Sequence, residues 1–211
     1  MAARTTRLQD LSDIRVAGVR LRPLRRPLGI SAFGINGFAA DAGELLIEEH
    51  REQGGGSGRH EELYLVVAGH ATFTVDGQAI DAPAGTLVFV PEPGDLRTAV
   101  ATEDGTLAVV VGGPAGAAGP VSPWEWYFGA AAHAERGAYD EAYEFAAQGL
   151  DDHPDHPSLH YNLACYAALA GRREPALEHL RRAVELDPQS REWAAEDPDL
   201  DPIRDDPAFP A

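Results

Sequence analysis

Three histidines, His50, His60 and His70, fall in one short stretch with Glu62 among them. Imidazole and carboxylate groups are ligands for zinc, iron, nickel or copper, so the chemistry open to these residues is coordination of a divalent transition metal. His60 precedes Glu62 by two residues, and on an extended strand that spacing turns both side chains to one face. His50 stands at the end of the preceding apolar run and His70 just past Gly69. A set of His50, His60, Glu62 and His70 is therefore the metal reading; in the competing reading, His60 and His70 are ordinary loop and strand-end residues. Elsewhere, Cys165 lies between apolar neighbours and reads as a packing residue rather than a nucleophile. His153 and His156 flank Asp155 in a Pro-punctuated turn that reads as solvated.

Other chemistries are excluded by composition. The 17 basic residues of the 211-residue chain are all arginine. Without lysine there is no Schiff base to a carbonyl substrate or pyridoxal phosphate, and no lysine to complete a P-loop. The net charge of -17 argues against a chain that wraps nucleic acid, which needs a surplus of cations to displace counterions from phosphates. No stretch approaches the roughly 20 apolar residues of a membrane span. The N-terminal residues lack the apolar core of a secretory signal, and the one cysteine cannot form an internal disulfide; both predict a reducing cytoplasm.

Charge is unevenly placed. Residues 1–40 carry net +5, residues 41–123 net -10 and the remainder net -12. The first segment, with Arg20, Arg22, Arg25 and Arg26 close together, reads as a basic arm over residues 1–29 that neutralises itself against the acidic body.

From Leu45 to Val111 the pattern is strand-like. Leu63-Tyr64-Leu65-Val66-Val67 and Ala71-Thr72-Phe73-Thr74-Val75 are short apolar or alternating runs, and Asp76-Gly77 closes the second with a hairpin signal. Thr86 to Val90 and Leu107 to Val111 continue the series, and many short strands at close spacing predict a sandwich or barrel. Gly and Pro dominate residues 113–123, a linker by composition. Beyond it the period becomes helical, and Trp126, Gly137, Ala142 and Pro154 recur 34 residues later as His160, Gly171, Ala176 and Pro188.

On those residues, together with Tyr161-Asn162-Leu163-Ala164 and Ala183, residues 124–211 resemble tetratricopeptide repeats with a closing cap from Trp193 to Pro207. Small residues at Ala164, Ala176 and Ala183 let paired helices approach while Leu163 and Leu180 fill the gap. Asn162 matches a position where some such repeats grip a peptide carboxylate, and the acidic helix faces favour a basic partner. Residues 30–112 resemble a cupin, an antiparallel β-barrel of the jelly-roll type. The motifs carrying that likeness are Glu62 followed seven residues later by Gly69, and Gly85 followed by Pro91 and Gly94. The expected fold is α+β and multidomain, a β-barrel followed by an all-α helical module.

The cupin resemblance implies a metal site, but this chain departs from it. The family's paired histidines are replaced by Gly and Ser within Gly54 to Gly58, and its last histidine by Arg97, which cannot ligate a cation. Arg97 would then face Glu62 and neutralise it in place of a metal, either as a structural ion pair or as an anchor for a ligand carboxylate. Tyr64, Phe73 and Phe89 would line the barrel mouth with apolar walls. The expectation is a small-molecule-binding or regulatory interaction module with a degenerate site, holding a small polar ligand in the barrel and a protein or peptide on the repeats. The alternative is a metal-dependent oxygenase, isomerase or lyase. A homodimer through the barrel is implied by the resemblance alone.

Overall fold

Asp76-Gly77 is the first signal that the backbone realises. Both residues have positive φ, 44° and 79°, the conformation of a type I′ turn, and they join two strands paired from Val75 against Gln78 to His70 against Pro83. The structure, a computed structural model, describes residues 3–53 and 59–210. The expected glycine loop Gly54 to Gly58, where the histidine pair is missing, lies outside the described residues.

Ten strands are described: β1 (Ile14–Val16), β2 (Val19–Pro23), β3 (Gly34–Ala40), β4 (Leu45–His50), β5 (His60–Ala68), β6 (His70–Val75), β7 (Gln78–Pro83), β8 (Leu87–Val90), β9 (Arg97–Ala101) and β10 (Thr106–Pro114). They form two antiparallel sheets, in order β1-β2-β3-β10-β5-β8 and β4-β9-β6-β7. One core lies between them, with Tyr64, Val66, Val88, Val90, Ala108 and Val110 from the first sheet meeting Leu46, Ile47, Ala71, Phe73 and Ala99 from the second. Strand alternation explains the membership: on β5 the even-numbered residues from Tyr64 face in, and Leu63, Leu65 and Val67 face out.

The basic segment is built into the sheet. β2 pairs with β3 from Arg20 against Ala39 to Pro23 against Asn36, because Val19 and Leu21 alternate with the arginines. Arg20 lies 2.9 Å from both Asp41 and Glu44, and Arg22 2.7 Å from Asp13, so these charges are met within the chain. Residues 1–118 form one compact unit and residues 119–211 a second. Strand β10 therefore runs into the stretch whose composition reads as a linker.

The second unit contains α2 (Pro123–Ala134), α3 (Tyr139–Asp152), α4 (Pro157–Leu169), α5 (Arg173–Leu186), α6 (Ser190–Glu196) and a 3-10 turn over Pro198–Ile203; the short α1 (Arg25–Leu28) belongs to the first. Gly137 and Gly171, one period apart, share φ of 74° just past α2 and α4. This left-handed residue ends each first helix and returns the chain as the second. Ala130, Ala142 and Ala146 are buried between α2 and α3, and Ala164, Ala176, Leu180 and Ala183 between α4 and α5.

Candidate functional site

Strand register brings the carboxylate and the guanidinium together. Glu62 lies on the inward face of β5 and Arg97 opens β9, where it pairs with His50 on one side and Val75 on the other. Arg97 Nη1 donates to Glu62 Oε2 at 3.0 Å. Its Nε donates to the Asp95 carbonyl at 3.2 Å and Nη2 to that of Glu92 at 2.9 Å. The side chain is only 1% exposed, so it is a buried clamp joining β5 to the Pro91–Asp95 turn rather than an anchor facing solvent.

Glu62 Oε2 also accepts from the Tyr64 hydroxyl, and His50 Nε2 lies 3.5 Å away. Burial alone would raise the Glu62 carboxyl above the usual range, but the donors His50, Tyr64 and Arg97 outweigh it and hold it below. Tyr64 is pushed far up by burial and by the Glu62 charge, so it stays a donor. His50 Nδ1 lies 2.7 Å from the Glu48 carbonyl, an acceptor only, so that nitrogen carries a proton. A neutral His50 would then aim the Nε2 lone pair at Glu62 and, 3.7 Å off, at Glu52. The Glu62 hydrogen bond accordingly raises the His50 pKa against the effect of burial.

Glu52 is the residue sequence reasoning missed. It follows β4 in a loop, and its spacing of two from His50 was the available signal. Its Oε2 is buried without a hydrogen-bond partner, and burial together with the Glu62 charge raises its pKa. The two carboxyls are thus pushed in opposite directions, Glu62 toward the anion and Glu52 toward the acid.

The remaining expected residues divide. His60 shares the inward face with Glu62: a side chain added at Gly112 would meet His60 Cβ at 3.6 Å and Glu62 Cγ at 3.3 Å. His70 is not part of the cluster. It bonds Asp81 at 2.6 Å and starts β6, whose far end, Val75, pairs with Arg97; the five residue steps between them place it about 16 Å along the strand. Tyr64 and Phe73 are buried with ring centroids 5.4 Å apart. Phe89 lies on the opposite face of β8 and is 55% exposed, because Val88 and Val90 take the inward positions; it lines no wall with Tyr64.

Ligand atoms of His50, Glu52 and Glu62 lie within 4.8 Å of one another. The donor chemistry nevertheless does not fit a divalent cation. The Glu62 oxygen that faces His50 is already taken by a guanidinium and a hydroxyl, and a cation there would meet the fixed charge of Arg97. With Glu52 pushed toward the acid, the Glu62 anion is already met by the Arg97 guanidinium and the His50 side chain.

In the helical unit, His160 Nε2 lies 2.9 Å from the Pro154 carbonyl and its Nδ1 3.0 Å from Nδ1 of His179. The carbonyl accepts, so His160 Nε2 carries the proton, His179 Nδ1 donates to His160, and His179 Nε2 accepts from the Tyr143 hydroxyl at 3.0 Å. Cys165 is buried and its thiol is pushed up by burial and by Asp197. Residues 133–195 match the family model described as a tetratricopeptide repeat.

Among solved structures, the chain is similar to a predicted oxalate decarboxylase from Thermotoga maritima, at 14% identity over 52% of this chain and 97% of that one, with a TM-score of 0.43. A cupin protein from Bacteroides fragilis is 18% identical over 54% and 92%, with a TM-score of 0.42. An RmlC-like cupin from Shewanella frigidimarina is 25% identical over 48% and 81%, with a TM-score of 0.38. No curated protein matches the chain in sequence.

Proposed function

We propose that the protein is a two-part binding module: the sheet unit takes a small polar ligand without a metal, and the tetratricopeptide repeats take a protein or peptide partner. The observation that carries the first part is the buried Arg97 at the position where the cupin motif has a histidine, with its charge spent on Glu62. A ligand would meet the half-buried His50 together with Glu52 and Glu62, a set offering protonated donors and one anionic acceptor. Hydroxyl-bearing molecules suit that set, while Arg97 acts as a positioning residue behind it.

The outer face of β5 and β8 exposes Leu63, Leu65, Val67, Leu87 and Phe89. A second copy of this chain presents an equally apolar face, and we propose it as the occupant.

Metal analysis of protein purified without a histidine tag tests the first part. The expected content is far below one equivalent, with melting unchanged by a chelator. Near-stoichiometric transition metal that disappears in Glu62→Gln would overturn the reading in favour of the metal-dependent enzyme. For the ligand itself, a thermal-shift panel of polyols and sugars should give a response that His50→Ala abolishes.

A further inference from the structure

The helical unit leaves two tryptophans in solvent, Trp124 at 65% and Trp193 at 47% exposure. Both line one cavity of about 220 Å³, with Tyr127 from the same helix as Trp124 and Tyr161 from α4. The rings form two edge-to-face pairs, Trp124 with Tyr127 and Tyr161 with Trp193, each with centroids 6.0 Å apart. Among the described residues, no arginine, aspartate or glutamate lines the cavity. Asn162 and His156 are among its lining residues, and His156 Nδ1 is buried without a hydrogen-bond partner.

The surroundings are anionic. Residues 119–211 carry net -12, and the Tyr161 hydroxyl donates to the Asp197 carboxylate at 2.9 Å, which puts a negative charge directly behind one aromatic wall. Asp199 lies beside Asp197, close enough that its pKa is raised by burial and by that charge. Ring faces attract a cation, most strongly those of tryptophan, and a planar guanidinium can stack on a ring while its N–H groups reach an acceptor. Burial of His156 lowers its pKa and favours the neutral imidazole, which has one unprotonated ring nitrogen able to accept. An apolar occupant would use the rings but strand that nitrogen; an anionic one would face Asp197.

We propose that this cavity binds the arginine side chain of a basic peptide. The inference deepens the partner-binding role given above to the repeats and rests on it.

The test is titration of the full chain, followed by tryptophan fluorescence, with the capped peptide Gly-Gly-Arg-Gly-Gly. The same peptide with citrulline or leucine in place of arginine serves for comparison. Citrulline keeps shape and N–H groups while removing charge. The expected result is saturable binding of the arginine peptide that weakens with salt, and about tenfold weaker binding of the citrulline peptide. Trp193→Ala should lose about tenfold in affinity and Trp193→Phe much less. Both are read beside an unchanged helical circular dichroism spectrum, which the exposure of Trp193 leads us to expect. His156→Ala, the second variant, should weaken arginine binding and spare leucine binding. Equal affinity for citrulline, or no saturation by the arginine peptide at millimolar concentration, overturns the proposal. So does unchanged binding in a folded Trp193→Ala. Tighter binding of the leucine peptide overturns the arginine assignment while leaving the repeats a peptide-binding module, so the two failures are distinguishable.

Discussion

Replacing Arg97 with methionine removes the cation from a buried pair and leaves its partners behind. Glu62 Oε2 loses a 3.0 Å donor, and the carbonyls of Glu92 and Asp95 lose theirs. Breaking a buried pair from one side costs about 3–5 kcal/mol. The lower end, about 3 kcal/mol, applies because Glu62 keeps Tyr64 and His50, is 12% exposed, and can escape by taking a proton. For a unit of this size that lowers the melting temperature by roughly 10 °C. Calorimetry reads both units, and tryptophan fluorescence reads the helical one alone, since Trp124, Trp126 and Trp193 all lie there. The calorimetric transition of the sheet unit should fall while the fluorescence transition stays in place. In the parent, Glu62 is held below its ordinary 4.5, so its contribution is present above that pH and is lost as pH falls through the folded value. In Arg97→Met the deficit should shrink as pH falls and the unpaired, partly buried carboxyl takes up a proton. Adding Glu62→Gln should recover most of the loss, because both charges are then gone. A single variant that melts within about 2 °C of the parent, or a double variant worse than the single, would refute the clamp.

Other outcomes follow from the same geometry. His179 is half-buried beside His160 and its pKa lies below the ordinary 6.5, so the unfolded chain takes up a proton that the folded one refuses, and the helical unit should lose stability as pH falls below that value. His50 shifts the other way: its contribution is full below 6.5 and fades as pH rises through the raised folded value, so the two units should respond oppositely in pH-dependent calorimetry. Gly149→Ala would bring a methyl group within 2.8 Å of the Trp126 ring; overpacking of about 1–3 kcal/mol against a helix-propensity gain of about 1 predicts a net loss, read by urea denaturation. Leu87→Ser with Phe89→Ser should convert a sedimenting pair to single chains, and an unchanged sedimentation coefficient would dismiss the apolar face as a self-association surface.

What the sequence made legible was local. Asp76-Gly77 carries its own turn, and the recurrence of glycine at Gly137 and Gly171 marks a conformation only glycine takes cheaply. The Glu62–Arg97 pairing was legible because a motif already related the two positions. Phe89 was misplaced because Thr86 to Val90 is almost continuously apolar, so alternation could not say which residues face in. His70 was grouped with His60 by proximity in sequence, but Gly69, with φ of 73°, turns the chain into the other sheet. Glu52 was overlooked because it sits past a strand end, where periodicity stops. The His160–His179 pair spans two helices, and no spacing rule joins them.

The two edges of the larger sheet are β1, three residues long, and β8, four residues long. Edges that short offer little ladder to an incoming strand, so this sheet is poorly suited to growth by adding chain after chain along its hydrogen-bonding direction. Association through the outer face is different in kind, because a face that meets its own copy about a twofold axis uses itself up. The proposed pairing through that face would therefore stop at two.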